Sequence, residues 1–282
     1  MTGEATGRAG VPKRRRAEVD WNRGAGGPRA AALPPVGPPT RALLDRLPAQ
    51  ADGLILDLAC GAGSPTFEAA RRHPEARVLG VDRAEKLIDE ARALAAALAL
   101  TNAQFEVMSL DGLALADESV HAAISQFGFL HEGEVPRSAN ELSRVLSDGA
   151  PFSVAAWDAM QFNTLFSRAA LVLERHVPAE LLPDFDYLTA LAAPGLRERL
   201  LREAGISTLH TEMFSWQLAL PSADAVWAVI CAPVPFGAAL EALAGDELAL
   251  ARGQLEQATT DLRAADGTYT FPMACRLFWG SK

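Results

Sequence analysis

Cysteine, tyrosine and histidine are scarce in this chain of 282 residues, with three, two and five copies. Cys60, Cys231 and Cys275 lie far apart and form no CxxC pair, which argues against a disulfide framework or a zinc ribbon and for a reducing, cytoplasmic setting. No apolar run reaches the roughly 18 residues of a membrane span, and the N-terminus is polar, so neither a transmembrane helix nor a secretory signal is expected. His73, His121, His176 and His210 are dispersed, and no metal is assigned to them. Basic charge is also lacking where it would matter most. The net charge is -9, and because residues 1–46 carry +5, the remainder carries -14. A body this acidic repels a phosphate backbone, so neither nucleic acid nor membrane is expected as a partner. A small molecule is the expected partner, with the chain a monomer or a homodimer.

What is present fits a globular protein. The hydrophobic fraction is 49% and the charged fraction 22%, enough for a sizeable core. Glycine and proline supply 13 of the first 40 residues, so residues 1–39 read as a disordered or loosely docked tail. Trp21 is the one aromatic there and a candidate to fold over a ligand. The basic run Lys13 to Arg16 reads as solvated. Residues 40–282 read as one domain.

From Thr40 the pattern is periodic. Thr40 to Leu47 has helical spacing. Leu54 to Leu58 is a buried strand, followed by a glycine loop and by Ser64-Pro65, a helix start with a hydroxyl and then proline in the first turn. Short apolar strands at 77–81, 104–108, 120–125 and 151–157 alternate with helices at 65–72, 84–98 and 135–146. That alternation predicts a doubly wound, mostly parallel α/β sheet. After Trp157 the rhythm changes to helices at 160–175, 193–203, 222–243 and 244–263, with two late strands at 208–216 and 269–279. The segments 160–205 and 218–265 therefore read as a helical cover over the carboxyl edge of the sheet, where ligands bind in such folds.

The most informative stretch runs from Leu54 to Asp82. It joins a glycine loop, which lets a ligand approach the backbone, to an acid ending the next strand, 21 residues after Gly61 and suited to the hydroxyls of a ribose. A dinucleotide would call for a third glycine where Thr66 stands. Asp57, four residues before Gly61, suits a ligand with ammonium and sulfonium groups better than one with phosphates.

Ile55-Leu56-Asp57-Leu58-Ala59-Cys60-Gly61-Ala62-Gly63 resembles the first motif of class I S-adenosylmethionine-dependent methyltransferases, nearest the ubiquinone/menaquinone-biosynthesis-like (type 11) branch. The resemblance continues through Val81-Asp82, Asp117 to Gly128 and Glu141 to Leu146, and covers about residues 51–158. It implies a seven-stranded Rossmann-like sheet with an antiparallel last pair, and S-adenosylmethionine as cofactor with S-adenosylhomocysteine as product. It further implies that Asp57, Ala59, Cys60, Gly61 and Gly63 hold the methionine part and that Asp82, beside Arg83, holds the ribose. Ser109, Leu110 and Asp111 would meet the adenine, while Ser125 and Gln126 would lie toward the sulfonium. Ala59 replaces a usual glycine, Ser109 a usual aspartate, and Ser147-Asp148-Gly149 a usual Pro-Gly-Gly. Cys60 is expected to pack rather than react.

Methyl transfer is an in-line displacement that mainly requires alignment and a dry site. An oxygen or carbon acceptor would need a general base, for which His131 is placed first and Glu132 second. Aromatic residues in or beside the inserted helices, among them Trp157, Phe166, Tyr187 and Trp227, point to an apolar substrate, with Phe127 after the fourth strand as a further contact and Asp158 and Asn163 placed to orient it. The expected activity is methylation of a small hydrophobic metabolite in specialised, natural-product metabolism. The alternative is a non-methylating cyclisation or rearrangement in the same fold.

Overall fold

A computed structural model of the chain describes residue 22 and residues 37–48, 52–129, 135–178, 182, 195–231 and 236–282. Trp21, His131, Glu132 and Tyr187 lie outside the described residues, as does most of the 1–39 segment.

β1 (Leu54–Leu58) is buried at every position. It needs to be, because a central parallel strand is covered on both faces and so reads as an unbroken apolar run. Around it, β3 (Ala103–Val107), β2 (Arg77–Asp82), β1, β4 (Ala122–Gln126) and β5 (Pro151–Trp157) lie side by side in parallel. β7 (Tyr269–Ser281) then pairs antiparallel with β5, and β6 (Thr208–Leu220) antiparallel with β7. This is the expected seven-stranded, mostly parallel sheet. The direction of winding reverses between β1 and β4, so the crevice beyond their carboxyl ends is the ligand-binding position of a doubly wound fold.

Helices cover both faces. α1 (Pro38–Leu44) and α2 (Ser64–Arg72) pack over Ile55, Val78, Ile124 and Leu277. α3 (Glu85–Ala97) joins α2 over Phe105, burying Phe67, Ile88 and Ala91. On the opposite face α4 (Val135–Val145) and α6 (Leu196–Glu203) bury Leu142 and Leu201 against Leu56, Phe152 and Phe278.

A second core is built on the β6–β7 ribbon. β5 pairs with β7 only from Cys275 to Ser281, whereas β6 and β7 pair along their full length of 13 residues each. The residues from Tyr269 to Ala274 therefore project past the end of β5 by about 20 Å at about 3.3 Å per residue. Tyr269, Phe271 and Met273 on this extension are buried by α5 (Thr164–His176), α7 (Ala223–Cys231), α8 (Phe236–Glu241) and α9 (Gly245–Ala258). α6, also expected in the cover over 160–205, packs with α4 on the sheet face instead; α5, α7, α8 and α9 make the helical layer on the ribbon.

Its boundaries differ from the sequence reading. The first helix begins as a 3-10 turn, Met160–Phe162, before α5. The single helix expected over 222–243 is two, α7 and α8, on either side of residues 232–235. β6 runs on to Leu220, so the helical part starts at Ala223 rather than at 218.

Candidate active site

The loop between β1 and α2 is fixed by backbone bonds. The Cys60 N–H donates to the Val81 carbonyl, and the Gly63 N–H donates to the Cys60 carbonyl, each at 3.0 Å. Gly63 opens α2 at φ 91°, and a Cβ there would lie 2.6 Å from the Phe67 ring, so glycine is required twice over. Gly61 is different: a Cβ there would meet nothing within 4 Å, which leaves open space over the loop.

Asp82 faces the same loop. Its Oδ2 accepts the Gly61 N–H and its Oδ1 the Ala84 N–H, both at 2.9 Å. Each carboxylate oxygen has a second lone pair, so the side chain is aligned without being exhausted. Asp57 is fully buried, and its Oδ2 accepts the Thr66 hydroxyl at 2.6 Å. Its Oδ1 is buried with no partner. Burial pushes the carboxyl up to about 7, with the charge of Asp82 adding to the effect. Burial also raises the Cys60 thiol well above its ordinary value, which keeps it protonated and unreactive.

The end of β4 closes on this loop. Gly128 sits against Ala59 so tightly that a Cβ on Gly128 would fall 2.2 Å from the Ala59 Cβ. Ala59 and Phe127 both take left-handed backbone conformations, at φ 56° and 63°. The Ser125 hydroxyl is fully buried and donates to the Leu58 carbonyl at 2.7 Å, tying β4 to β1 rather than facing the crevice. The Gln126 Oε1 is buried without a partner. Phe127 stacks on Trp157, whose edge meets Phe166 at 5.0 Å between centroids, and Phe166 stacks on Phe236 at 5.6 Å. Trp216 lies 6.1 Å from Trp157. These rings form a wall from the end of β4 into the cover.

Four other expected residues lie around this centre. The Ser109 hydroxyl donates to Asp111, with Leu110 half-buried between them. Arg83 is exposed beside Asp82. Asn163 and Trp227 have partners of their own. The Asn163 amide is consumed by backbone: Nδ2 donates to the Asp158 and Ala159 carbonyls at 3.1 and 3.3 Å, and Oδ1 accepts the Ala274 N–H at 3.1 Å. It is a strut between β5 and β7, not a free polar group. Trp227 lies under the Arg252 guanidinium and lines a surface notch with Val226 and Leu255, and it packs on the same apolar cluster as Trp157 and Phe166.

Two residues escaped the sequence reading. Thr66 counted there only as a missing glycine, yet its hydroxyl is the partner of Asp57. Arg197 sits in an arginine- and glutamate-rich helix and is not singled out there, yet it is buried and its Nη2 donates to the Trp157 carbonyl at 3.0 Å. Burial lowers its guanidinium to about 10.

Residues 55–149 match the methyltransferase domain family. A trans-aconitate 2-methyltransferase from Variovorax paradoxus is 33% identical over 160 residues, which cover 55% of this chain and 58% of that one. The chain spans between about a fifth and three fifths of the length of the trans-aconitate 2-methyltransferases it is similar to. The YcgJ protein of Bacillus subtilis superposes with a TM-score of 0.57 at 14% identity, covering 86% of this chain and 97% of that one. A Haemonchus contortus phosphoethanolamine N-methyltransferase in complex with S-adenosyl-L-methionine does so at 0.54 and 12% identity, covering 86% and 52%.

Proposed function

We propose that this chain, whose residues 55–149 match the methyltransferase domain family, is a class I, S-adenosylmethionine-dependent methyltransferase that methylates a small, largely apolar metabolite. The observation that carries this reading is the pair of carboxylates around an open glycine loop. Asp57 keeps one buried oxygen without a partner, and Asp82 is held by two backbone N–H groups with acceptor capacity to spare. A buried unpaired carboxylate oxygen is costly unless a donor arrives, and the ammonium and hydroxyl groups of S-adenosylmethionine are such donors. The residues therefore fit the cofactor.

When bound, S-adenosylmethionine supplies an electrophilic methyl group on a sulfonium. Asp57 and the backbone of Ala59, Cys60, Gly61 and Gly63 would hold its methionine part, and Asp82 beside Arg83 its ribose. Ser109 with Asp111, and Leu110 between them, would meet the adenine. Gln126, whose buried Oε1 has no partner, would face the sulfonium side, with Ser125 bracing the strand beneath. Phe127, Trp157 and Phe166 would align the acceptor and exclude water, with Trp21 and Tyr187 as further contacts. For a hydroxyl or acidic-carbon acceptor, His131 would accept the proton that must leave as the methyl arrives, and Glu132 would be the second choice. The natural setting we infer is cytoplasmic natural-product metabolism, with the chain acting on diffusible substrates as a monomer or homodimer.

The test is incubation of the purified chain with S-adenosylmethionine and apolar candidate acceptors, with product mass and S-adenosylhomocysteine release as readouts. The expected result is a product heavier by one methyl. Conversion without a gain in mass would establish the cyclisation reading instead. His131→Ala should lower kcat by about 10²-fold for an acidic acceptor while leaving S-adenosylhomocysteine affinity intact. Full-speed turnover by that variant would remove His131 from the proton path.

A further inference from the structure

Arg197, in the first turn of α6, is 2% exposed. Its Nη2 donates to the Trp157 carbonyl, but Nε and Nη1 are buried with no hydrogen-bond partner. A buried guanidinium with two nitrogens unsatisfied is unusual, because desolvating a charge is compensated only when its donors find acceptors.

The neighbouring acids do not fill this role. Asp158 is equally buried, but its Oδ2 lies 2.9 Å from the Arg276 guanidinium and its Oδ1 accepts the Ala159 N–H at 2.8 Å. No ion pair joins it to Arg197 among the described residues. Glu198, next along the helix, is partly exposed and likewise makes no ion pair with Arg197. The Phe278 ring, 5.8 Å from the guanidinium carbon, offers a face but no lone pair. Asp158 thus pairs with Arg276 and acts on Arg197 through its charge without an ion pair, and Nε and Nη1 of Arg197 have no acceptor among the described residues. The location matters equally. Trp157 ends β5 at the carboxyl edge of the sheet: its ring belongs to the aromatic wall on one side, while its carbonyl is held by Arg197 from the side of Phe278.

We propose that Arg197 is the anion-recognition residue of the acceptor site, and that the acceptor is an apolar acid whose carboxylate takes the free donors of this guanidinium. The inference rests on the methyltransferase reading and adds the acceptor's charge to it. The apolar body of the acceptor lies on Phe127, Trp157 and Phe166, and the acid end reaches around the end of β5. Arginine suits the task because it remains charged and offers several directed donors to a carboxylate. Recognition must be local, since a chain with a net charge of -9 repels anions at long range.

The test uses the full chain, S-adenosylhomocysteine, 4-(2-naphthyl)butanoate and its uncharged counterpart 4-(2-naphthyl)butanamide, titrated by calorimetry into wild type, Arg197→Met and Arg197→Lys. Wild type should prefer the acid to the amide by about tenfold or more, the range for a charge-assisted hydrogen bond. Arg197→Met should erase that preference while leaving amide and S-adenosylhomocysteine affinities within about twofold, and Arg197→Lys should keep part of it. Absence of a preference in wild type, or a preference that survives in Arg197→Met, overturns the proposal. Equal losses for acid and amide would assign Arg197 to support of Trp157, and a loss confined to S-adenosylhomocysteine would assign it to the cofactor's own carboxylate; either overturns the proposal. If Arg197→Met does not fold, the wild-type ratio and Arg197→Lys decide. The acid-to-amide ratio is read with and without S-adenosylhomocysteine, so that failure of wild type to bind S-adenosylhomocysteine counts against the methyltransferase reading alone.

Discussion

Phe127 and Trp157 stack with ring centroids 3.8 Å apart and planes 6° from parallel, joining the ends of β4 and β5 across the crevice. Phe127 keeps this position at φ 63°, a conformation that costs a residue with a Cβ about 1–2 kcal/mol. Phe127→Gly relieves that strain but removes the stacked ring, whereas Phe127→Leu keeps the strain and an apolar side chain. The expected outcome is that both variants weaken binding of an aromatic acceptor by about three- to tenfold, the value of one aromatic pair. Acceptor KM values would check this. Unchanged values in both variants would place the acceptor elsewhere.

The contact between Ala59 and Gly128 admits no further carbon. Gly128→Ala should destabilise the fold by about 1–3 kcal/mol through overpacking, read as a lowered midpoint in denaturant. Ala59→Gly should be neutral or slightly stabilising, because it removes a Cβ from a left-handed residue at φ 56°. The double variant should recover most of the loss, and a strictly additive cycle would show that the two residues do not press on each other.

Asp82→Ala should lower S-adenosylhomocysteine affinity about tenfold or more, matching about 1.5–3 kcal/mol for charge-assisted hydrogen bonds. The loop should loosen as well, because the Gly61 N–H loses its acceptor. Calorimetry of the variant reads the first effect and amide exchange at Gly61 the second.

Asp57 gives the site a pH dependence. Its carboxyl is held at about 7 in the folded chain against an ordinary 3.8, so between about pH 4 and 7 the folded state keeps a proton that the unfolded state has lost. Stability therefore falls as pH rises through that window, with a slope of up to about 1.4 kcal/mol per pH unit. Asp57→Asn should flatten this part of the profile. A ligand ammonium needs the ionised form, so S-adenosylhomocysteine affinity should rise from about pH 6 to about pH 8 in wild type and stay level in the variant. Parallel profiles for the two proteins would show that Asp57 does not titrate there.

The parallel half of the fold was legible because its strands, apart from the edge strand β3, are buried on both faces and its helices are amphipathic, so periodicity and burial agree. The late strands were harder to delimit. β6 is partly or fully exposed along nearly all its length, so its polar residues hide its ends. The break between α7 and α8 had a visible signal in Pro233 and Pro235, which helical periodicity on either side obscured. Within the site, the glycines and acids from Asp57 to Asp82 stand on consecutive elements and could be read in order. Thr66 and Arg197 could not. Whether a hydroxyl meets a carboxylate nine residues away, or an arginine in an eight-residue charged helix turns inward, depends on packing that no local pattern records.

Two accounts of stability are kept in one chain by the long β6–β7 ribbon. Its half near Ser281 is fastened to β5, while its half near Tyr269 serves only the helices of the cover. A change at Phe271 or Leu240 is therefore felt by the cover first, and a change at Phe152 or Leu142 by the sheet that supports the glycine loop. The helices on the ribbon and the sheet that carries the glycine loop can therefore drift in sequence separately, and among the described residues they are joined where Trp157 meets Phe127, Phe166 and Trp216 and where Asn163 bridges the end of β5 to β7.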